Sequence, residues 1–269
     1  MYYIKSDFVS IFLFGSSIII TILNKSKKIK KSGSNKELVG ISFGPTGGLF
    51  SYNLGVTKYI QENFNLDGLK FAGISGGVQS CILLSFGISV EKGFEKWLKP
   101  LVNDLKGNMI LNIFPPLNMM DRSKVHLKKC LSKKDFAELN KKFYASVTKV
   151  FPYPHNLSVS DWDNNFDDLY AGLQASQYLP FLSGYPFCKF RDFFCVDGYI
   201  TRTFYEPEKG KWIHVNPFKW TNKNVLHGII SLANVSDIEF HNEQYKLGYA
   251  DGKKNHSYFV DKGLIEKLN

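Results

Sequence analysis

The chain is poor in cysteine. Its 269 residues hold four, Cys81, Cys130, Cys188 and Cys195, with no C-x-x-C pair and no grouping with the six histidines. That scarcity argues against a disulfide framework and against a zinc site, and it suits reduced surroundings. No metal and no cofactor is expected. The acidic run "DWDNNFDD" lacks the spaced glycine of a calcium loop and reads as a solvated loop. A phosphate-cradling P-loop needs a Lys-Ser/Thr pair after its glycines, and Leu49-Phe50 stands there instead. There is no internal repeat, and no stripe of Lys and Arg interleaved with stacking aromatics, so nucleic acid is not an expected partner.

Positive charge is in excess but unevenly placed. Seven lysines and one aspartate fall within residues 1–36, so +6 of the net +10 is N-terminal and the rest of the surface is ordinary. One uncharged apolar run, "FVSIFLFGSSIIITIL" (8–23), is followed at once by Lys25, Lys27, Lys28, Lys30 and Lys31. As a helix it would reach about 24 Å, feasible as a thin span if Tyr2, Tyr3 and Ile4 form an interfacial collar. A signal peptide would carry its basic residues before the run, and a core helix is the other alternative, since short apolar runs are often internal. The reading adopted is a membrane anchor over 1–24 and a basic polar linker over 25–37. The lysines would meet anionic headgroups and hold the rest of the chain, 38–269, on the cytoplasmic side.

What the main domain has in abundance is apolar and aromatic mass, with 23 Phe and 14 Tyr, enough for a substantial core. Its opening is regular. "LVGISF" reads as a strand, "GPTGG" as a turn and "LFSYNLGVTKYIQENF" as a helix; then "LKFAGIS" is a strand and "GGVQSCILLSFGI" a helix. Two such units predict parallel strands with helices packed on the sheet, and bring both glycine turns to its C-terminal edge. "SVEKGFEKWLKPLVNDL" and the stretch from Lys124 to Ser146 read as amphipathic helices. Residues 151–176 read as polar and turn-prone, and "FFCVDGYI" as a buried strand ending in Asp-Gly.

The second glycine turn contains G-x-S-x-G, as Gly73-Ile74-Ser75-Gly76-Gly77. A nucleophile elbow needs small neighbours because the backbone is sharply bent around the serine. The bend lifts the hydroxyl off the sheet, and the helix start offers N–H groups to developing negative charge. The first turn, Gly44 to Gly48, is placed to add oxyanion donors. A base is also required. Asp197 is the acid that directly ends an apolar strand with glycine after it; His214 and His227 leave a conventional triad open.

Taken in order, glycine loop, G-x-S-x-G and Asp-Gly resemble the patatin-like phospholipases. "ASQYLPF" (175–181) is similar to the segment that precedes Asp-Gly in that family, and "WIHVNPF" to the strand that follows it. "YKLGYADG" (245–252) looks like the late Gly-Tyr-x-Asp helix of the adipose triglyceride lipase branch. The resemblance implies an α/β fold, a three-layer α/β/α sandwich of patatin type with a mostly parallel central sheet, here preceded by the anchor helix. It implies a Ser75–Asp197 dyad that hydrolyses carboxylic esters of phospholipids or acylglycerols through an acyl-enzyme. Gly44, Thr46, Gly47, Gly48 and Gly76 would form the oxyanion hole, and Gly73 and Gly77 the elbow. The glycine loop departs from the family pattern: Pro45 has no N–H to donate, the usual basic residue is replaced by Leu49-Phe50, and Tyr199 is bulky. The alternative is therefore a weak or inactive lipid-binding pseudoenzyme on the same fold.

Overall fold

In the computed structural model, residues 37–106, 119–131, 134–163 and 165–267 are described. The expected anchor at 1–24, and all of the linker but its last residue, lie outside them. Among the described residues no helix is long and apolar enough to cross a membrane.

Strand β1 (Leu38–Phe43) leads through the glycine turn into helix α1 (Phe50–Asn63). A two-residue strand β2 (Phe64–Asn65) follows, then β3 (Lys70–Ile74) and helix α2 (Val78–Ser85). Both expected strand–turn–helix units are present, and β1 and β3 are parallel neighbours, Phe43 beside Gly73. Val90–Gly93, Phe94–Leu98 and Lys99–Asp104 are helical, as the amphipathic pattern predicts, with a π turn in the middle segment.

The stretch from Lys124 to Ser146 departs from its helical reading. Helix α3 (Met119–Cys130) ends early, and Phe143–Lys149 forms β4 in the middle of the sheet. Phe143 to Thr148 are all buried, so the strand shows no in–out alternation of polarity to mark it. The turn-prone reading of 151–176 also fails, because β5 (His155–Val159) and helix α4 (Phe166–Ser176) form there. Its polar residues are helix-capping groups. The Asn165 side chain accepts the Asp167 and Asp168 N–H groups, while Asp167 pairs with Lys124 at 2.7 Å and Asp168 with Arg191 at 2.9 Å.

The remaining strands are β6 (Cys188–Phe190), β7 (Phe193–Asp197), β8 (Lys211–Val215) and β9 (Ile265–Glu266), which pairs with β2. In the main sheet, β8, β1, β3 and β4 lie parallel; β5 and β7 run antiparallel to β4, and β6 antiparallel to β7. Helical elements cover both faces. The alternation of side chains along β3 and β4 separates two cores. Phe71, Phe143, Ala145 and Val147 join the larger one with α1, α2 and α4. Ala72, Ile74 and Tyr144 face the other way, against Tyr205, Trp212 and the half-buried Tyr199.

After the short helix α5 (Val225–Ile230), helix α6 (Ile238–Lys254) packs closely on α1. A Cβ at Gly248 would collide with the Tyr52 carbonyl, and one at Gly55 with the Tyr245 carbonyl. Tyr52 Oη donates to Asp251 at 2.8 Å. The late Gly-Tyr-x-Asp sequence is thus a helix-crossing device, its glycine admitting the neighbouring backbone and its aspartate tying the two helices together.

Candidate active site

The pairing around β4 explains how Ser75 and Asp197 meet. Strand β5 occupies one edge of β4 from Ala145 to Lys149. The other edge is shared. β3 pairs with Phe143 to Ser146, and β7 pairs with Val147 to Lys149 from the opposite direction. β3 therefore ends at Ile74 beside Ser146, and β7 ends at Asp197 beside Val147, one residue further along. Two strands that run toward each other along one edge deliver their terminal residues to the same spot.

At that spot the backbone of Ser75 has φ +54°, a left-handed conformation that costs a serine about 1–2 kcal/mol. The glycines around it are sterically required. A Cβ at Gly73 would meet the Val78 backbone, and one at Gly77 would strike the Phe43 and Gly44 carbonyls. A Cβ at Gly76 would overlap Thr46 Oγ1. These contacts make the two glycine turns neighbours, as the topology of the opening units requires.

Asp197 is almost wholly enclosed, 1% exposed, while Ser75 is 7% exposed. Its Oδ1 accepts the Tyr199 N–H at 2.8 Å, and Oδ2 completes no hydrogen bond of ordinary geometry. Burial pushes this carboxyl up to about 7, with the nearby Ser75 hydroxyl and the Tyr199 N–H pulling the other way. Serine and carboxylate are thus adjacent but not locked together. A carboxyl of this affinity is able both to take up and to release a proton near neutral pH.

The Gly44–Gly48 loop, the candidate oxyanion loop, keeps part of what the glycine pattern promises. The Gly44 N–H is committed to the Val215 carbonyl at 2.8 Å, so Gly44 does not serve as a donor, and Pro45 has none. Thr46, Gly47, Gly48 and Gly76 remain. Gly47 and Gly48 open one 3-10 turn, and Gly76 lies in the first turn of the other, where N–H groups have no acceptor within the turn. The absence of side chains at Gly47 (φ +55°) and Gly48 has a separate cause, the close approach of the Gly228 and Ser231 backbones.

Neither histidine proposed as an alternative base bonds to Ser75. His214 Nε2 meets Glu206 at 2.8 Å, and burial holds its pKa below the usual value. His227 Nδ1 closes a capping box with Asn224 at the start of α5.

Three supporting residues carry no chemical signature of their own. Ser176 Oγ donates to the Ser146 carbonyl at 2.8 Å, the Tyr178 carbonyl accepts the Asp197 N–H at 2.8 Å, and Asn156 Nδ2 donates to Ser146 Oγ at 2.6 Å. A Cβ at Gly198 would run into that same Ser146 carbonyl. The "ASQY" segment is therefore a brace for the Asp-Gly turn.

The sequence matches no family model. Over 181 residues it is 28% identical to human 1-acylglycerol-3-phosphate O-acyltransferase PNPLA3, a match that covers 66% of this chain. The matched region spans 37% of the human protein, little more than a third of its length. Among solved structures, VipD from Legionella pneumophila aligns with a TM-score of 0.43 at 14% identity, over 74% of this chain and 55% of that one. In its elbow serine, its Asp-Gly turn and its match to PNPLA3, the chain is similar to the patatin-like proteins.

Proposed function

We propose that this chain is a lipid acyl hydrolase working through Ser75 and Asp197. Ionised Asp197 accepts the Ser75 proton as Oγ attacks the ester carbonyl of a phospholipid or acylglycerol. The N–H groups of Gly76 and of the Thr46–Gly48 loop receive the oxyanion, each such donor typically contributing about 3–4 kcal/mol. Collapse expels the alcohol, which takes the proton from Asp197 and leaves the acyl group on Ser75. Asp197 then deprotonates water, which releases the fatty acid and restores the serine. The observation that carries this reading is a left-handed serine at a strand–helix elbow beside a buried carboxyl pushed up to about 7. At a membrane, the N-terminal apolar run and its lysines would hold this chemistry on the cytoplasmic face.

Capture of the same acyl-enzyme by an alcohol would make the protein an acyltransferase, which the name of the human relative supports. The loss of Gly44 and Pro45 as donors favours instead a slow enzyme or a lipid-binding pseudoenzyme. Labelling of the detergent-solubilised chain with a lipid-like fluorophosphonate tests the nucleophile. Wild type should label, and Ser75→Ala and Asp197→Asn should not. A folded wild type that never labels would leave the pseudoenzyme reading standing. Product analysis with an added lysolipid acceptor separates hydrolysis from transfer.

A further inference from the structure

Beyond the C-terminal end of β4, on the side of the sheet where Ser75 lies, three phenylalanines form a cluster that faces solvent. Phe151, Phe187 and Phe194 are 53%, 39% and 52% exposed, and their ring centroids stand 5.7, 6.0 and 6.2 Å apart. Tyr153, Phe181 and Tyr185, from the same two segments, are more exposed still. Phe181 is held at φ +65°, an unfavourable conformation for a bulky side chain that gains no burial from it. Exposed aromatics concentrated in this way exceed the scatter of single apolar residues expected on a soluble surface.

The charge around the cluster is one-sided. Residues 149–160 and 177–190 contain no Asp or Glu, and they carry Lys149 and Lys189. Lys189 stands directly across from Phe194 in the β6–β7 pair and shares its face, whereas Lys149, paired with Cys195 and 3.9 Å from the Phe193 ring centroid, lies on the opposite face of the sheet. The hairpin turn adds Arg191 and Asp192, which cancel, and Arg191 is already bonded to Asp161 and Asp168. Aromatic rings beside a lysine that makes no ion pair among the described residues, with no acid in either segment, match a bilayer interface, where the rings enter the headgroup–acyl boundary and the ammonium group meets anionic lipid. The position matters too. Phe194 is three residues from Asp197 along β7, about 10 Å at the rise of a strand.

We infer that Phe151, Phe187 and Phe194, with Lys189, form the face by which the catalytic domain docks on an anionic lipid surface, setting the Ser75–Asp197 end of the sheet against the substrate. This deepens the acyl hydrolase reading and rests on it for its purpose, but the docking itself is measured separately. The full chain is bound to phosphatidylcholine–phosphatidylglycerol vesicles containing brominated acyl chains. Tryptophan quenching is then compared between Phe194→Trp and a control, Val125→Trp, which lies on α3 at a site 52% exposed. Bromolipid should quench the Phe194→Trp fluorophore and leave the control unaffected, even if the N-terminal run also binds the bilayer. Equal quenching in the two variants, or none in either, overturns the docking face whatever the enzyme does. In turnover assays, replacing all three phenylalanines by serine should lower hydrolysis of vesicle lipid by about five-fold per ring, from loss of roughly half a side chain's burial. Hydrolysis of a short-chain ester dissolved as monomer should stay at the wild-type rate. Equal rates of the variant and wild type on vesicles would refute the proposal. Wild type inactive on both substrates would refute the acyl hydrolase reading and leave the quenching result to decide the docking face.

Discussion

Replacing Asp197 by Asn should abolish labelling of Ser75 and also change how stability depends on pH. The carboxyl is raised from 3.8 to about 7 in the folded chain because it is fully enclosed. The native state therefore holds this proton more tightly than the unfolded chain does. Below pH about 4 both states are protonated and the group is neutral toward folding. Between about pH 4 and 7 the unfolded chain has lost the proton and the native state keeps it, so stability falls as pH rises. Above the folded value the loss is complete, and a change of this size corresponds to about 4 kcal/mol at 1.36 kcal/mol per pH unit. Asparagine carries no charge and retains an oxygen for the Tyr199 N–H. Its amide nitrogen, taking the place of the unpartnered Oδ2, would add a pH-independent cost of about 1–3 kcal/mol. The diagnostic quantity is therefore the difference between two pH values, not the stability at one. Urea unfolding of the detergent-solubilised full chain at pH 4.5 and pH 8, read by tryptophan fluorescence, should show the variant gaining on wild type by about 2–4 kcal/mol over that interval. A gain below about 1 kcal/mol would mean that Asp197 is not held as a buried, proton-retaining carboxyl in the native state, and the case for it as base would fall with it.

The same carboxyl sets the expected pH profile of catalysis. As the base it must be ionised, so the fluorophosphonate labelling rate should rise with pH through about 7 and then level off; a rate that is flat from pH 5 to 9 contradicts this role. Ser75→Gly and Ser75→Ala should both be inactive, but the glycine variant should be more stable by about 1 kcal/mol, because only it relieves the left-handed backbone. Equal melting points for the two would show that the strain is absent in solution. Gly248→Ala should destabilise the fold by about 1–3 kcal/mol or more by forcing α6 away from α1, with the labelling rate per folded molecule largely kept; thermal melting beside active-site titration separates the two effects.

Where a residue type has a local consequence, the sequence could be read directly. The glycines around Ser75 announce a bend that side chains would obstruct, and apolar runs before and after them mark β3 and α2. Asp197-Gly198 ends an apolar strand, and the order of these pieces was enough to suggest the patatin-like resemblance. Other features were hidden because their cause is non-local. Phe143 to Lys149 became a strand because β3, β5 and β7 bury it on both edges, a circumstance that leaves no period in the sequence. Asn165, Asp167 and Asp168 looked like loop residues until α4 supplied the free N–H groups and the neighbouring cations that use them. The departure at Pro45 was visible in the chain, whereas the loss of Gly44 depended on where the Val215 carbonyl came to rest. Sequence alone thus marked the candidate nucleophile, the glycine bend around it and the candidate base, since each shows in a pattern of a few residues. Tertiary structure decided that serine and carboxylate meet, because two strands converge along one edge of β4, and that the carboxyl binds a proton near neutrality, because the packed chain excludes water from it.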